Sequence, residues 1–120
     1  MPGLLTTHVL DTMRGCPAVD MEIRLWRLDK IGQKGILLKS MRTTANGRTD
    51  APLLEGDALT TGSYELVFAV GAYFAARGET TTTPPFLDLV PVRFGVADPD
   101  AHYHVPLLVS PWAYSTYRGS

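Results

Sequence analysis

Short runs of alternating apolar and polar residues recur along the chain, separated by glycine and proline. Residues 21–28 show the pattern clearly, because Ile23 and Leu25 alternate with Glu22 and Arg24. A period of two residues is typical of a strand with one buried face. The pattern predicts eight strands, at residues 4–12, 21–28, 36–44, 52–54, 63–70, 88–96, 102–109 and 113–117.

Turn residues separate the predicted strands. Asn46-Gly47 is the strongest of these signals, because both residues tolerate the positive φ that tight turns require. Segments 14–17, 29–35 and 80–85 also read as turns or loops. Only the alanine-rich segment 71–78 favours a helix, of about two turns. Many short strands and one helix predict an all-β fold, an antiparallel sandwich.

Composition narrows the classes of protein to which the chain can belong. Its 120 residues predict a single domain over residues 1–120, and 45% hydrophobic residues argue against disorder. Twelve acidic and eleven basic residues give a net charge of −1 without long blocks of either sign. Nucleic acid and anionic membranes are therefore not expected partners, and no apolar run is long enough to span a bilayer.

The expected compartment follows from two weaker signals. The first residues have neither the basic segment nor the long apolar segment of a secretory signal. Cys16 is the single cysteine, so the chain cannot form an internal disulfide. We therefore expect a cytoplasmic protein, in which Cys16 lies in a turn and takes no part in chemistry.

Three histidines are the first candidates for chemistry: His8, His102 and His104. The last two are two residues apart on a predicted strand and therefore share one face. Each histidine alone is commonly an ordinary surface or core residue. Alternatively, a neutral imidazole can act as a general base, or three imidazoles can bind zinc with one position left open. The spacing leaves these three interpretations open.

Two further features add to this picture. Arg48 follows the Asn-Gly turn, where it is either a solvated side chain or a donor to a planar, oxygen-rich substrate. The last four residues are of types found in ordered structure, although chain ends usually fray. No nucleophile elbow, zinc-protease helix or glycine-rich phosphate loop occurs in the sequence.

Three segments resemble one known family, the 5-hydroxyisourate hydrolases, also called transthyretin-related proteins. The segments are Leu-Thr-Thr-His-Val-Leu-Asp-Thr at 5–12, Gly-Arg-Thr-Asp at 47–50, and Ser-Pro at 110–111 followed by the terminal Tyr-Arg-Gly-Ser. The resemblance covers essentially the whole chain. It implies a transthyretin-like sandwich of two four-stranded sheets and one short helix. It also implies a homotetramer, a dimer of dimers, with active sites in the channel between the dimers.

The resemblance further implies an activity and a set of site residues. The activity is hydrolysis of 5-hydroxyisourate, the unstable product of urate oxidation, at an amide bond of its six-membered ring. The product is the 2-oxo-4-hydroxy-4-carboxy-5-ureidoimidazoline that precedes allantoin. The implied site needs no metal or cofactor. Its catalytic residues are His8, Arg48 and His104, and its substrate-binding residues are Tyr117, Arg118, Gly119 and Ser120.

Several points stay open at this stage. The resemblance implies no role for His102, which we expect to be structural, and it does not say which histidine is the general base. The main alternative function is a small-molecule carrier like transthyretin, although the polar site residues favour the hydrolase. The segment that contains the last two predicted strands carries more apolar side chains than a small sandwich is expected to bury, which also indicates an oligomer. These side chains are Leu107, Val109, Trp112 and Tyr114.

Overall fold

The computed structural model describes residues 2–28, 35–79 and 82–119, which form short strands and one helix. The strands are β1 (Leu4–Asp11), β2 (Cys16–Pro17), β3 (Glu22–Leu28), β4 (Gly35–Arg42), β5 (Leu54–Glu55), β6 (Gly62–Ala69), β7 (Leu89–Val96), β8 (His102–Val109) and β9 (Tyr114–Thr116). The helix α1 spans Val70–Ala76, and a 3₁₀ turn spans Gly56–Ala58. Each predicted strand therefore overlaps an observed one, although the predicted strand 52–54 shares only Leu54 with β5, and the predicted helix is present.

The strands form two sheets. One has the order β2-β1-β8-β9, with β5 also paired to β1, and the other has the order β4-β3-β6-β7. The first sheet thus has five strands rather than four, because the two-residue strands β2 and β5 pair with opposite ends of β1. Every described pairing is antiparallel except that of β1 with β8, in which Leu4 lies opposite His102 and Asp11 opposite Val109.

The core lies between the two sheets and follows the alternation of the sequence. Every second residue of β1, beginning at Leu5, is buried, as is every second residue of β6, beginning at Tyr64. The largest fully buried side chains are Tyr64, Phe68, Phe74, Leu5, Met21, Ile23, Leu25, Leu53, Leu59, Leu66, Leu107 and Val9. The other face of the first sheet points away from this core, and it is the face that bears the candidate residues.

One expectation about apolar surface is wrong in part. Leu107 and Val109 are completely buried, because they lie on the core-facing side of β8. Trp112 and Tyr114 are 55% and 46% exposed, as expected of apolar surface that the sandwich does not cover. The sandwich therefore buries more of this segment than its composition suggests.

The connections also differ in detail from expectation. Residues 16–17, predicted as part of a turn, form β2. Most of the predicted turn 29–35 and the start of the predicted loop 80–85 lie outside the described residues. Gly78 follows α1 with a φ of +73°, which suits its predicted place at the end of the helix. No helix in the part of the chain described is long and apolar enough to cross a membrane.

Candidate active site

The parallel pairing of β1 and β8 gathers three histidines on one face of the first sheet. Thr6 lies opposite His104, and His8 lies opposite Pro106. Alternate residues of a strand point to the same side, so Thr6, His8 and both histidines of β8 face away from the core. All four side chains are exposed or half-buried. Residues from the two ends of the sequence therefore share one surface.

The loop before Arg48 fixes the ring of His8. The Nε2 atom of His8 lies 2.8 Å from the backbone carbonyl oxygen of Asn46. A carbonyl oxygen can only accept a hydrogen bond, so Nε2 of His8 must bear a proton. In the neutral ring, Nδ1 is then the unprotonated nitrogen. This contact decides which atom of His8 can accept a proton.

Gly47 allows this loop to approach β1 closely. Its carbonyl oxygen accepts a hydrogen bond of 2.9 Å from the Val9 amide, and its φ is +80°. A Cβ atom at this position would lie only 2.5 Å from the carbonyl oxygen of Val9. The Asn46 side chain accepts a hydrogen bond from the Arg48 amide at 3.0 Å, which orders the turn. The predicted Asn-Gly turn thus docks on β1 and presents Arg48 next to it.

His104 is the most perturbed histidine of this group. Its burial and then the Arg48 guanidinium, with smaller effects of His102 and His8, lower the pKa of the His104 imidazole. Its Nδ1 atom lies 2.8 Å from the hydroxyl oxygen of Thr6. His104 is therefore a neutral ring at pH 7. The four groups that the sequence offered as candidates, His8, Arg48, His102 and His104, act on one another in one place.

The C-terminal segment reaches the same place. Beyond β9, the Gly119 amide donates a hydrogen bond of 2.7 Å to the carbonyl oxygen of His104, and its carbonyl oxygen accepts one of 3.4 Å from the His104 amide. A Cβ atom on Gly119 would lie 2.9 Å from Cδ2 of the His104 ring. The predicted ordered terminus is present as far as Gly119, while Ser120 lies outside the described residues.

The side chains of the terminal segment point in different directions. Tyr117 is 60% exposed. The Arg118 guanidinium lies 4.3 Å from the centre of the Tyr103 ring and donates a hydrogen bond of 3.4 Å to the His102 carbonyl oxygen. Since Tyr103 points into the core, these contacts place Arg118 on the side of β8 opposite to the His104 ring. Arg118 anchors the segment here, and its predicted contact with substrate stays a prediction.

The chemistry of this surface suits the hydrolysis of a small polar ring. Thr6, Arg48 and Pro52 line an open depression of about 180 Å³. Neutral imidazoles can take and return a proton near neutral pH. A guanidinium can bind carbonyl oxygens with paired hydrogen bonds. The surface therefore offers a base, hydrogen-bond donors and a fixed positive charge.

The sequence did not indicate two of the groups that contact the histidines of the site. Thr6 contacts His104 across 98 positions, and the Asn46 carbonyl oxygen contacts His8 across 38 positions. The Asn-Gly dipeptide predicted the turn, but nothing local indicates where the turn docks. The alternation of β1 placed Thr6 and His8 on one face and was the available signal for Thr6.

Comparison with known sequences identifies the family of the chain. The sequence model of the HIUase/Transthyretin family matches residues 5–119. A 5-hydroxyisourate hydrolase of Ralstonia nicotianae is 58% identical over 118 residues, which are 98% of this chain and 99% of the relative.

Solved structures give the same result for the fold. A crystal structure of (S)-allantoin synthase superposes with a TM-score of 0.93 at 51% identity, over 99% of this chain but 44% of the longer synthase chain. Transthyretin from Sparus aurata superposes with a TM-score of 0.84 at 26% identity, over 96% of this chain and 95% of its own. These matches confirm the transthyretin-like sandwich. Because the family match extends over nearly the whole sequence, the chain belongs to the HIUase/Transthyretin family.

Proposed function

We propose that the protein hydrolyses 5-hydroxyisourate at an amide bond of its six-membered ring, in the degradation of urate to allantoin. The observation that supports this most directly is the gathering of His8, Arg48 and His104 on one face of the first sheet. The full-length similarity to a chain named 5-hydroxyisourate hydrolase points to the same reaction. The product is the 2-oxo-4-hydroxy-4-carboxy-5-ureidoimidazoline.

Different residues of the site have different roles in amide hydrolysis. A histidine takes a proton from water, and the water oxygen attacks the amide carbon. Negative charge then develops on the carbonyl oxygen, where a nearby cation and hydrogen-bond donors stabilise it. Arg48 is the cation that we assign to the substrate oxygens, and residues 117–120 are assigned to substrate binding.

The carrier alternative is weaker for two reasons. The transthyretin of Sparus aurata shares 26% of its residues with this chain, whereas the hydrolase of Ralstonia nicotianae shares 58%. In addition, a depression lined by Thr6, Arg48 and Asp50 is a poor site for an apolar ligand, because each polar group would have to give up its water.

The reaction is proposed to need no metal. Nε2 of His8 and Nδ1 of His104 form hydrogen bonds with Asn46 and Thr6, and Nε2 of His102 also contacts Thr6. Among the described residues, no three His, Cys, Asp or Glu side chains lie in an arrangement that could hold a metal ion. Exhaustive chelation should therefore leave kcat unchanged, and a loss of activity that zinc restores would favour the three-histidine metal site.

The assembly and the compartment are proposals of the same kind. Phe86 and Trp112 are 73% and 55% exposed and border one surface depression, a pattern typical of an interface. This supports a homotetramer, a dimer of dimers. The single core shared by both sheets supports one domain for residues 1–120. The free Cys16 is compatible with a cytoplasmic protein.

The deciding experiment follows the ultraviolet decay of freshly prepared 5-hydroxyisourate with and without the protein. We expect rapid decay with the wild type, and a loss of about a hundredfold or more in kcat/KM for His104→Ala or Arg48→Ala. Arg24→Ala is the matched control, because Arg24 is an exposed arginine on the second sheet. Decay at the uncatalysed rate in the presence of the wild type would contradict the proposed function.

A further inference from the structure

One hydroxyl group lies between two histidine rings on the outer face of the first sheet. The Oγ1 atom of Thr6 is 2.9 Å from Nε2 of His102 and 2.8 Å from Nδ1 of His104. A hydroxyl group has a single proton, so it can donate to only one of these rings and must accept from at least one of them. The three side chains therefore form a hydrogen-bonded chain that has a direction.

The direction of this chain determines which nitrogen of His104 bears the proton. If Thr6 donates to Nδ1 of His104, the proton of the neutral ring lies on Nε2. If Thr6 donates to His102 instead, His104 bears its proton on Nδ1, and its Nε2 is bare. The first arrangement makes His104 a hydrogen-bond donor to a substrate, and the second makes it a base.

A general property of imidazole favours the first arrangement. A neutral histidine in water is more stable with its proton on Nε2 than on Nδ1. Both His102 and His104 have this tautomer only when Thr6 donates its proton to Nδ1 of His104. The charged groups that act on His104 are Arg48 from the loop, His8 from β1 and His102 from β8. Each of them disfavours a second proton on His104, so the ring is neutral and keeps one bare nitrogen in either arrangement.

We propose that Thr6 and His102 are positioning residues that hold His104 as a neutral donor through Nε2, which leaves His8 as the general base through Nδ1. The role of His8 follows from its bond with the Asn46 carbonyl oxygen, which fixes the proton on Nε2 of that ring. This inference rests on the proposed hydrolysis. It gives His104 the role of hydrogen-bond donor and His8 the role of general base, which the sequence alone could not decide.

The resulting step is balanced. Nδ1 of His8 takes a proton from water while the water oxygen bonds to the amide carbon. The electron pair of the carbonyl double bond moves to oxygen, where the Nε2–H group of His104 and the Arg48 guanidinium stabilise it. When the double bond re-forms, the carbon–nitrogen bond breaks, and the leaving nitrogen takes the proton from His8.

Nitrogen-15 NMR of the histidine rings tests the proton positions without any substrate. At a pH where the rings are neutral, we expect both His104 and His8 to bear the proton on Nε2. Because this measurement does not depend on catalysis, it decides the inference even if the hydrolase proposal fails. A proton on Nδ1 of His104, or rapid exchange between the two nitrogens, would overturn the proposal.

Kinetics test whether the chain acts as a unit. We expect Thr6→Val to lower kcat about tenfold or more with a smaller change in KM, since a ring that loses its fixed orientation donates poorly in the transition state. Thr6→Ser, which keeps the hydroxyl group, should stay within about threefold of the wild type. Thr7→Val is the matched control, because the Thr7 hydroxyl bonds the Val105 carbonyl oxygen on the core side of the same two strands. It should lower the Tm and leave kcat unchanged.

A double-mutant cycle distinguishes this chain from independent effects of the two residues. His102→Ala should lower kcat about threefold in the wild type and have no further effect in the Thr6→Val background. Equal effects of His102→Ala in both backgrounds would mean that His102 acts independently of Thr6, and would overturn the chain. Wild-type kcat in Thr6→Val would overturn the role of Thr6.

Discussion

Gly119 sets how closely the end of the chain approaches His104. A methyl group on Gly119 would meet the His104 ring at 2.9 Å, so either the ring or the terminal segment must move. We expect Gly119→Ala to lower kcat/KM by about ten- to a hundredfold, because small displacements of catalytic groups are costly. The Tm should change little, since Gly119 pairs only at an isolated bridge near the chain end. Wild-type kcat/KM in this variant would show that the close contact has no catalytic role.

The lowered pKa of His104 predicts how the site responds to acid. Its pKa lies below the ordinary value of 6.5, so His104 stays neutral as the pH falls through 6.5 and gains its proton only at lower pH. In Arg48→Ala the pKa should rise towards 6.5, because the guanidinium no longer opposes the added charge. An NMR titration of the His104 ring protons measures the change. Arg24→Ala is the control, and an unchanged titration in Arg48→Ala would contradict the electrostatic effect of Arg48 on His104.

The individual site residues were only partly predictable. His8, Arg48 and His104 could be named from the resemblance, and the Asn46-Gly47 turn could be named from its chemistry. The contact of Thr6 with two histidine rings depends on the register of strands that are far apart in sequence. The position of Arg118 over Tyr103 depends on which side of β8 the terminal segment faces, and no local pattern gives that information.

At the scale of elements, a buried carboxylate joins the helix to the first strand. Asp11 is fully buried and accepts hydrogen bonds from the Tyr73 hydroxyl at 2.9 Å and from the amides of Met13 and Arg14 at 3.0 Å. Arg14 also lies 3.6 Å from this carboxylate. Because both oxygens of the Asp11 carboxylate accept hydrogen bonds, this side chain holds α1 and the turn after β1 together.

We expect Tyr73→Phe to lower the free energy of unfolding by about 1–3 kcal/mol, because it leaves a buried acceptor without one of its donors. Burial and Asp11 raise the pKa of Tyr73 to about 12. The folded state therefore holds this proton more tightly than the unfolded state does. Its contribution to stability is complete below pH 10 and is lost as the pH rises towards 12. Denaturant unfolding at several pH values measures both effects.

The exposed Tyr114 provides the control for this measurement. Tyr114→Phe should leave the free energy of unfolding nearly unchanged at neutral pH. An equal loss of stability in both variants would contradict a specific role for the Tyr73–Asp11 bond.

Most elements could be predicted because alternation is a local property. The buried positions of β1 and β6 follow every second residue, as the sequence indicated. The two-residue strand β2 could not be predicted, because its pairing with β1 and not its own composition defines it. The parallel pairing of β1 with β8 likewise depends on the whole topology.

At the scale of the whole molecule, the proposed tetramer predicts that the exposed aromatic surface lies in an interface between chains. Light scattering should give about four times the chain mass of 13.1 kDa for the active protein. Trp112→Glu should lower the mass of the assembly, because it places a charge in the proposed interface. Ile36→Glu is the control at the opposite edge, where Ile36 is 68% exposed on β4. An active 13 kDa monomer would contradict the tetramer.

The parallel pairing of β1 with β8 also has a consequence for protein synthesis. The ribosome releases the N-terminal strand first, but β8, the neighbour of that strand in the sheet, is made only after residues 12–101. Until then one edge of β1 has no permanent partner, and contacts between such distant segments form slowly. A nascent chain that stops before residue 102 thus has no complete first sheet and lacks His104. Catalytic competence would then appear only after β8 has left the exit tunnel.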